Sequence, residues 1–96
     1  MSTLHIINKH SPAQGLSACL RVLRPGDALL LIEDGVYLLA TEHLLPLPDT
    51  VHCHALQEDL QARGLALSAA ADNCHVVDYA GFVSLVCSHS RSLSWC

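Results

Sequence analysis

The sequence predicts an α/β domain, an open and mostly parallel sheet with helices against its faces. Two observations carry the prediction. Short apolar runs of strand character alternate with helical stretches along the chain, which is the order of an α/β sheet. One run, Ala28 to Ile32, is apolar without alternation, as in a strand covered on both sides. The length, 96 residues, fits a single domain over 1–96, and no internal repeat, low-complexity tract or linker divides it.

The elements follow in order. Thr3 to Ile7 is short, apolar and rich in β-branched residues, a first strand. Ser11 and Pro12, with Gln14 three residues after the serine, make a helix start. The serine caps free N–H groups, the proline suits the first helical position, and Gln14 completes a capping box. Leu16, Cys19, Leu20 and Leu23 then recur at the spacing of one buried helical stripe, and Pro25-Gly26 stops the helix.

Asp27 leads into the second strand, Ala28 to Ile32. Glu33-Asp34-Gly35 ends it, Val36 to Thr41 reads as a short helix, and Pro46 and Pro48 make a rigid turn. Thr50 to Leu56 is a third strand. Gln57 to Arg63 is a compact helix with Glu58 and Asp59 in its first turn, where the helix dipole favours them, and Gly64 stops it. Leu65 to Asn73 is Ala-rich and ambiguous. Cys74 to Val77 is a fourth strand, and Tyr79 to His89 a last helix with Phe82, Val83, Val86 and Cys87 turned inward. The tail SLSWC reads as an edge strand or an extended end.

Composition narrows the function classes. Apolar residues make up 51% of the chain, and the mean hydropathy is +0.35. A chain of this size buries only about 60–65% of the surface its unfolded form exposes. Some apolar surface is therefore expected to lie against other subunits. The net charge is −4, from five Lys/Arg against nine Asp/Glu, with no basic cluster, so direct nucleic-acid binding is not expected. The longest apolar run is far shorter than the ~18 residues of a membrane span, and MSTLHIINKH lacks the form of a secretory leader. Five cysteines without a CxxC pair read as free thiols in a reducing cytoplasm.

Four stretches carry a resemblance: LHIINKHSP at 4–12, EDGVY at 33–37, ALQEDLQARGL at 55–65 and DYAGFVSLVCSHSRSLSW at 78–95. In order and at matching spacing they resemble the landmarks of the DsrH/TusB family. The resemblance implies a small flavodoxin-like three-layer domain of the DsrE-like fold, with a mostly parallel sheet of four or five strands. It implies two sister subunits, of DsrE/TusD-like and DsrF/TusC-like type, joined with this one in a dimer of heterotrimers that needs no cofactor. Such assemblies pass persulfide sulfur between donor and acceptor proteins. In one branch the sulfur reaches C2 of the wobble uridine of certain tRNAs, and in the other it serves dissimilatory sulfur oxidation. The principal active cysteine lies on the DsrE/TusD-like subunit. DsrH-type members also carry a cysteine in the first helix, where Cys19 falls in SACL; several TusB-type members lack it.

The relay step needs little machinery. An acceptor thiolate attacks the outer sulfur of a donor persulfide and the donor thiolate leaves, so one accessible cysteine per carrier suffices. Cys19 is accordingly the candidate persulfide carrier. It is equally readable as a small core thiol, since free cysteine is among the most buried residue types. At about 100° per residue it lies at the edge of the helical stripe, a place that can face a partner or a pocket mouth. Arg21 and Lys9 are cations near it in sequence. Cys53, Cys74 and Cys87 read as packing, and Cys96 as exposed.

His52-Cys53-His54, Cys74-His75 and Cys87-x-His89 offer soft ligands, but none has a structural-zinc spacing, so no metal site is expected. His89 reads as a capping or interface residue, and Trp95 as an anchor of the tail or of a subunit contact. Glu33 and Asp34, at the carboxyl end of a central strand, are open to a paired acid/base role or to holding the turn that follows.

Overall fold

The computed structural model describes residues 2–9, 17–39, 50–65 and 74–95. They form one five-stranded sheet, every pairing of which is parallel, flanked by helices on both faces. The elements are β1 (Thr3–Ile7), α1 (Ser17–Val22), β2 (Ala28–Leu31), a 3-10 helix (Glu33–Leu39), β3 (His52–Leu56), α2 (Gln57–Ala62), β4 (Cys74–Val77), α3 (Tyr79–Ser88) and β5 (Arg91–Trp95). The strand order is β4-β3-β2-β1-β5. The three-layer class is the expected one; its winding differs from the 2-1-3-4-5 order of flavodoxin itself.

The alternation of side chains along each strand divides the core in two. On one face Ile7, Leu29, Leu31, Cys53 and Ala55 gather with Cys19 of α1, Val36 and Leu38 of the 3-10 helix, and Leu60 of α2. On the other, Leu4, Ile6, Ala28 and Leu30 meet Phe82 and Leu85 of α3. β1 and β2 are buried at every position; β2 is accordingly apolar throughout, while β1 carries Thr3 and His5 as buried polar residues.

The local signals act as the sequence implies at several points. α2 ends at Gly64, whose φ of +66° suits the left-handed stop, with Leu65 N donating to Leu60 O at 3.0 Å. Asp78 caps α3 by accepting from Gly81 N at 2.8 Å. The tail is a strand: β5 pairs with β1 from Thr3↔Arg91 to Ile7↔Trp95.

Three expectations are corrected. The helix after β2 begins at Glu33 rather than Val36 and is of 3-10 type. The turn tightens at once there, because Ile32 N donates to Ile7 O and Gly35 N to Ile32 O. A Cβ at Gly35 would run into the Ile7 carbonyl, so only glycine fits. The third strand starts at His52 rather than Thr50. On α3, Phe82 is half-buried as expected, but Val83 is 61% exposed, and Val86 and Cys87 are exposed as well. The helix turns Phe82 and Leu85 to the sheet and these three residues away from it. The expected helix start at Ser11–Gln14, the Pro46–Pro48 turn, positions 66–73 and Cys96 lie outside the described residues.

Candidate functional site

Cys19 is 0% exposed, held in the cluster of Ile7, Leu29, Leu31 and Val36. Burial first, and then the nearby Asp27 carboxylate, push its thiol up to about 12. The charge that reaches it is thus negative rather than that of Lys9 or Arg21, the opposite of what stabilises a thiolate. The edge of the stripe is sealed in this conformation.

Asp27 and His5, neither foreseen as functional, are the buried polar centre of the fold, at 4% and 2% exposure. Asp27 Oδ1 accepts from Thr3 N at 2.9 Å, and Oδ2 from Arg24 N at 3.1 Å and from His5 Nε2 at 3.0 Å. Burial would raise the Asp27 pKa, but the bonds from Thr3, His5 and Arg24 outweigh it and hold the carboxyl below its ordinary value. Trp95 Nε1 donates to His5 Nδ1 at 3.1 Å and its ring stacks on the imidazole. Trp95 is only a donor, so His5 carries its proton on Nε2. Both ring nitrogens are engaged, which leaves His5 no free base. The chain Trp95–His5–Asp27 ties β5 and β1 to the turn before β2. The sequence signal for it is a histidine inside one mostly apolar strand and an aspartate just before another, positions that require a partner.

Around this centre lies a cleft of about 650 Å³ on the α1 side of β1 and β5. Arg21, Arg24 and Arg91 line it, with Val22, Leu93 and Trp95 as its apolar part. Arg91 Nε donates to Thr3 Oγ1 at 3.1 Å, while the guanidinium groups of Arg21 and Arg24 have no hydrogen-bond or ion-pair partner among the described residues. The cleft opens at the amino end of the strands, opposite to the carboxyl end where open α/β sheets usually bind ligands.

Cys53 and Cys74 are packing residues as expected, 1% and 8% exposed. They are ladder partners, and their Sγ atoms are in hydrogen-bond contact at 3.3 Å. That bond and burial push the Cys53 thiol well up. Cys87 is not packing: it is exposed on α3. On the opposite face of β3 and β4, His52 and His54 lie with ring centres 6.5 and 5.7 Å from that of His75. Burial, then the positive charge of His75, His52 and His89, lower the His54 pKa to about 4. Among the described residues, no three His, Cys, Asp or Glu side chains are placed to hold a metal ion.

The paired carboxylates are tied into structure. Asp34 accepts from Arg63 Nε at 3.0 Å, and Asp59 Oδ2 from Glu33 N at 2.6 Å, which holds Glu33 at a φ of 50°. Glu58 accepts from Tyr79 N at 3.4 Å at the start of α3. His89 caps α3 by donating from Nδ1 to Leu85 O at 2.7 Å.

With known proteins the likeness is extensive. A family model described as DsrH like protein matches residues 10–92. Protein TusB of Salmonella enteritidis is 37% identical over 97 residues, 96% of this chain and 99% of that protein. TusB of Salmonella arizonae matches to the same extent, at 37% over 97 residues. Among solved structures, the ychN protein from E. coli superposes with a TM-score of 0.68 over 99% of this chain and 100% of that one, at 14% identity. Protein Tm0979 from Thermotoga maritima does so with a TM-score of 0.63 over 86% and 90%, at 23% identity. These two show the fold. The family match through most of the chain and the end-to-end likeness to TusB establish that this chain belongs to the DsrH/TusB family.

Proposed function

We propose that the chain is a subunit of a cytoplasmic sulfur-relay assembly and that its role there is to build the complex, the active persulfide being carried on a sister chain. Family membership supports the relay. The burial of Cys19 carries the scaffold role: a fully covered thiol with a pKa of about 12 is not a nucleophile at neutral pH. The partners are the DsrE/TusD-like and DsrF/TusC-like subunits, in a dimer of heterotrimers. Tyr79, Val83 and Val86 on α3, 57%, 61% and 38% exposed, are the surface those sisters cover. The sulfur serves 2-thiolation of the tRNA wobble uridine, the branch of the TusB relatives. A siroheme sulfite reductase encoded beside the gene would instead assign it to sulfur oxidation.

The test loads the reconstituted complex with persulfide and reads the intact mass of each subunit before and after reduction. The expected result is no reducible sulfur on Cys19 and unchanged transfer in Cys19→Ser. One reducible sulfur mapped to Cys19, with transfer lost in that variant, would make the chain a carrier whose α1 opens in the complex.

A further inference from the structure

The cleft between α1 and β5 is not absorbed by the scaffold role. It lies across the sheet from the α3 surface assigned to the sister chains, and its composition sets it apart from the rest of an acidic molecule. Three of the five Lys/Arg residues meet there from separate segments: Arg21 on α1, Arg24 beyond it and Arg91 on β5. The carboxylate of the lining, Asp27, is already bonded to Thr3, Arg24 and His5. Of the other cations, Arg63 is paired with Asp34 and Asp59. The cleft therefore presents positive charge in a chain whose net charge is −4.

Two further observations identify what fits. Val22 and Leu93, 47% and 42% exposed, lie in the same cleft between the arginines. β5 is an edge strand, hydrogen-bonded to β1 alone among the described strands, so its outer row of backbone groups has no ladder partner there. A phosphate group would satisfy the guanidiniums but leave both the apolar side chains and the strand edge uncovered. An extended polypeptide covers all three: backbone against β5, apolar side chains on Val22 and Leu93, and carboxylates at the arginines.

We propose that this cleft is a docking site for an extended acidic segment of a partner protein, added beside β5, whose every second side chain faces the cleft and includes both Asp or Glu and apolar residues. Carboxylates suit Arg21 and Arg24 because the guanidinium fork bonds them bidentately. Acidic and apolar residues both fall at every second position because Arg91, Leu93 and Trp95 share one face of the sheet and a neighbouring strand presents every second side chain to that face.

The experiment measures fluorescence anisotropy of a short labelled peptide in which glutamate and valine take turns at every second position with serine between them, titrated with the full chain. Binding is expected, weakening as salt rises. Arg21→Glu/Arg24→Glu should weaken it by at least about tenfold without lowering the melting temperature, both side chains being exposed. Leu93→Asp should weaken it independently, and a peptide N-methylated at alternate residues should lose binding because it cannot pair with the edge. The proposal is overturned if the lysine counterpart binds as well, if the arginine variant binds like the parent, or if the N-methylated peptide retains affinity. A short RNA oligonucleotide that binds more tightly than the peptide, and loses its binding in the same arginine variant, would overturn it in favour of a phosphate site.

Discussion

Nε2 of His5 and Oδ2 of Asp27 lie 3.0 Å apart, from residues separated by 22 positions, in a setting where neither side chain is more than 5% exposed. The pair fastens β1 to the turn preceding β2, and the other polar atoms of the imidazole and the carboxyl are spoken for by Trp95, Thr3 and Arg24. Asp27→Ala leaves the Thr3 and Arg24 amides and His5 Nε2 unsatisfied in a dry site. It should destabilise the fold by about 3–5 kcal/mol, read from urea unfolding at neutral pH.

The same carboxylate gives an acid limit. Its folded pKa lies below the ordinary 3.8, so its stabilisation is complete above that value and is lost as pH falls through the lower, folded one. Parallel urea series at successive acid pH values should show stability dropping in the parent below about pH 4, with that component missing in Asp27→Ala.

His54 acts earlier and by the opposite logic of charge. Its pKa is about 4 in the fold against 6.5 ordinarily, so between these values the unfolded chain takes up a proton that the fold refuses. The His54 contribution to stability should fall as pH is lowered from 6.5 to 4 and level off below, by at most about 1.4 kcal/mol per pH unit. His54→Gln should flatten this window. A parent whose urea midpoint does not change over that range would contradict the assignment.

Accessibility separates the thiols. Among the described thiols, iodoacetamide should modify Cys87 first under native conditions, while Cys19, Cys53 and Cys74 react only through unfolding. Peptide mass mapping at short times reads this directly. Cys19→Ala, a small truncation in a sealed core, should cost about 1–2 kcal/mol.

Val83 tests the partner surface. At 61% exposure, Val83→Asp should change the stability of the chain alone by no more than about 0.5 kcal/mol, yet remove it from the complex when co-expressed with its sister subunits. Size-exclusion chromatography of the co-purified subunits measures the loss.

The strands were the most legible part of the fold. Thr3–Ile7 falls where its β-branched run puts it, because a buried parallel strand writes its covering on both faces into the sequence, and Cys74–Val77, an edge strand buried only at Cys74, was marked by its paired valines. Helix α3 was legible as a helix and misread as to its buried face. Val83, Val86 and Cys87 have the composition of core residues, but periodicity shows that apolar residues gather, not whether this chain or another covers them. Cys19 was open between two readings because a stripe edge fixes direction and not depth. The Trp95–His5–Asp27 chain was illegible as a unit, since Trp95 and His5 stand 90 positions apart and only the sheet order joins them. Its isolated members, a histidine amid Leu4 and Ile6 and an aspartate before Ala28, did carry the mark of buried polar groups.

The seating of β5 beside β1 also governs when the molecule can exist. Ser90 N donates to Ser2 O at 2.9 Å, so the sheet's first strand in chain order is flanked by its last. A nascent chain halted before Arg91 has β1 and β2 but lacks Trp95, and His5 is left without its donor. Contacts of such sequence separation form slowly, because the closure of nearly the whole chain precedes them. Completion of the sheet therefore waits for β5, and removal of Arg91–Trp95 takes out the keystone of the sheet.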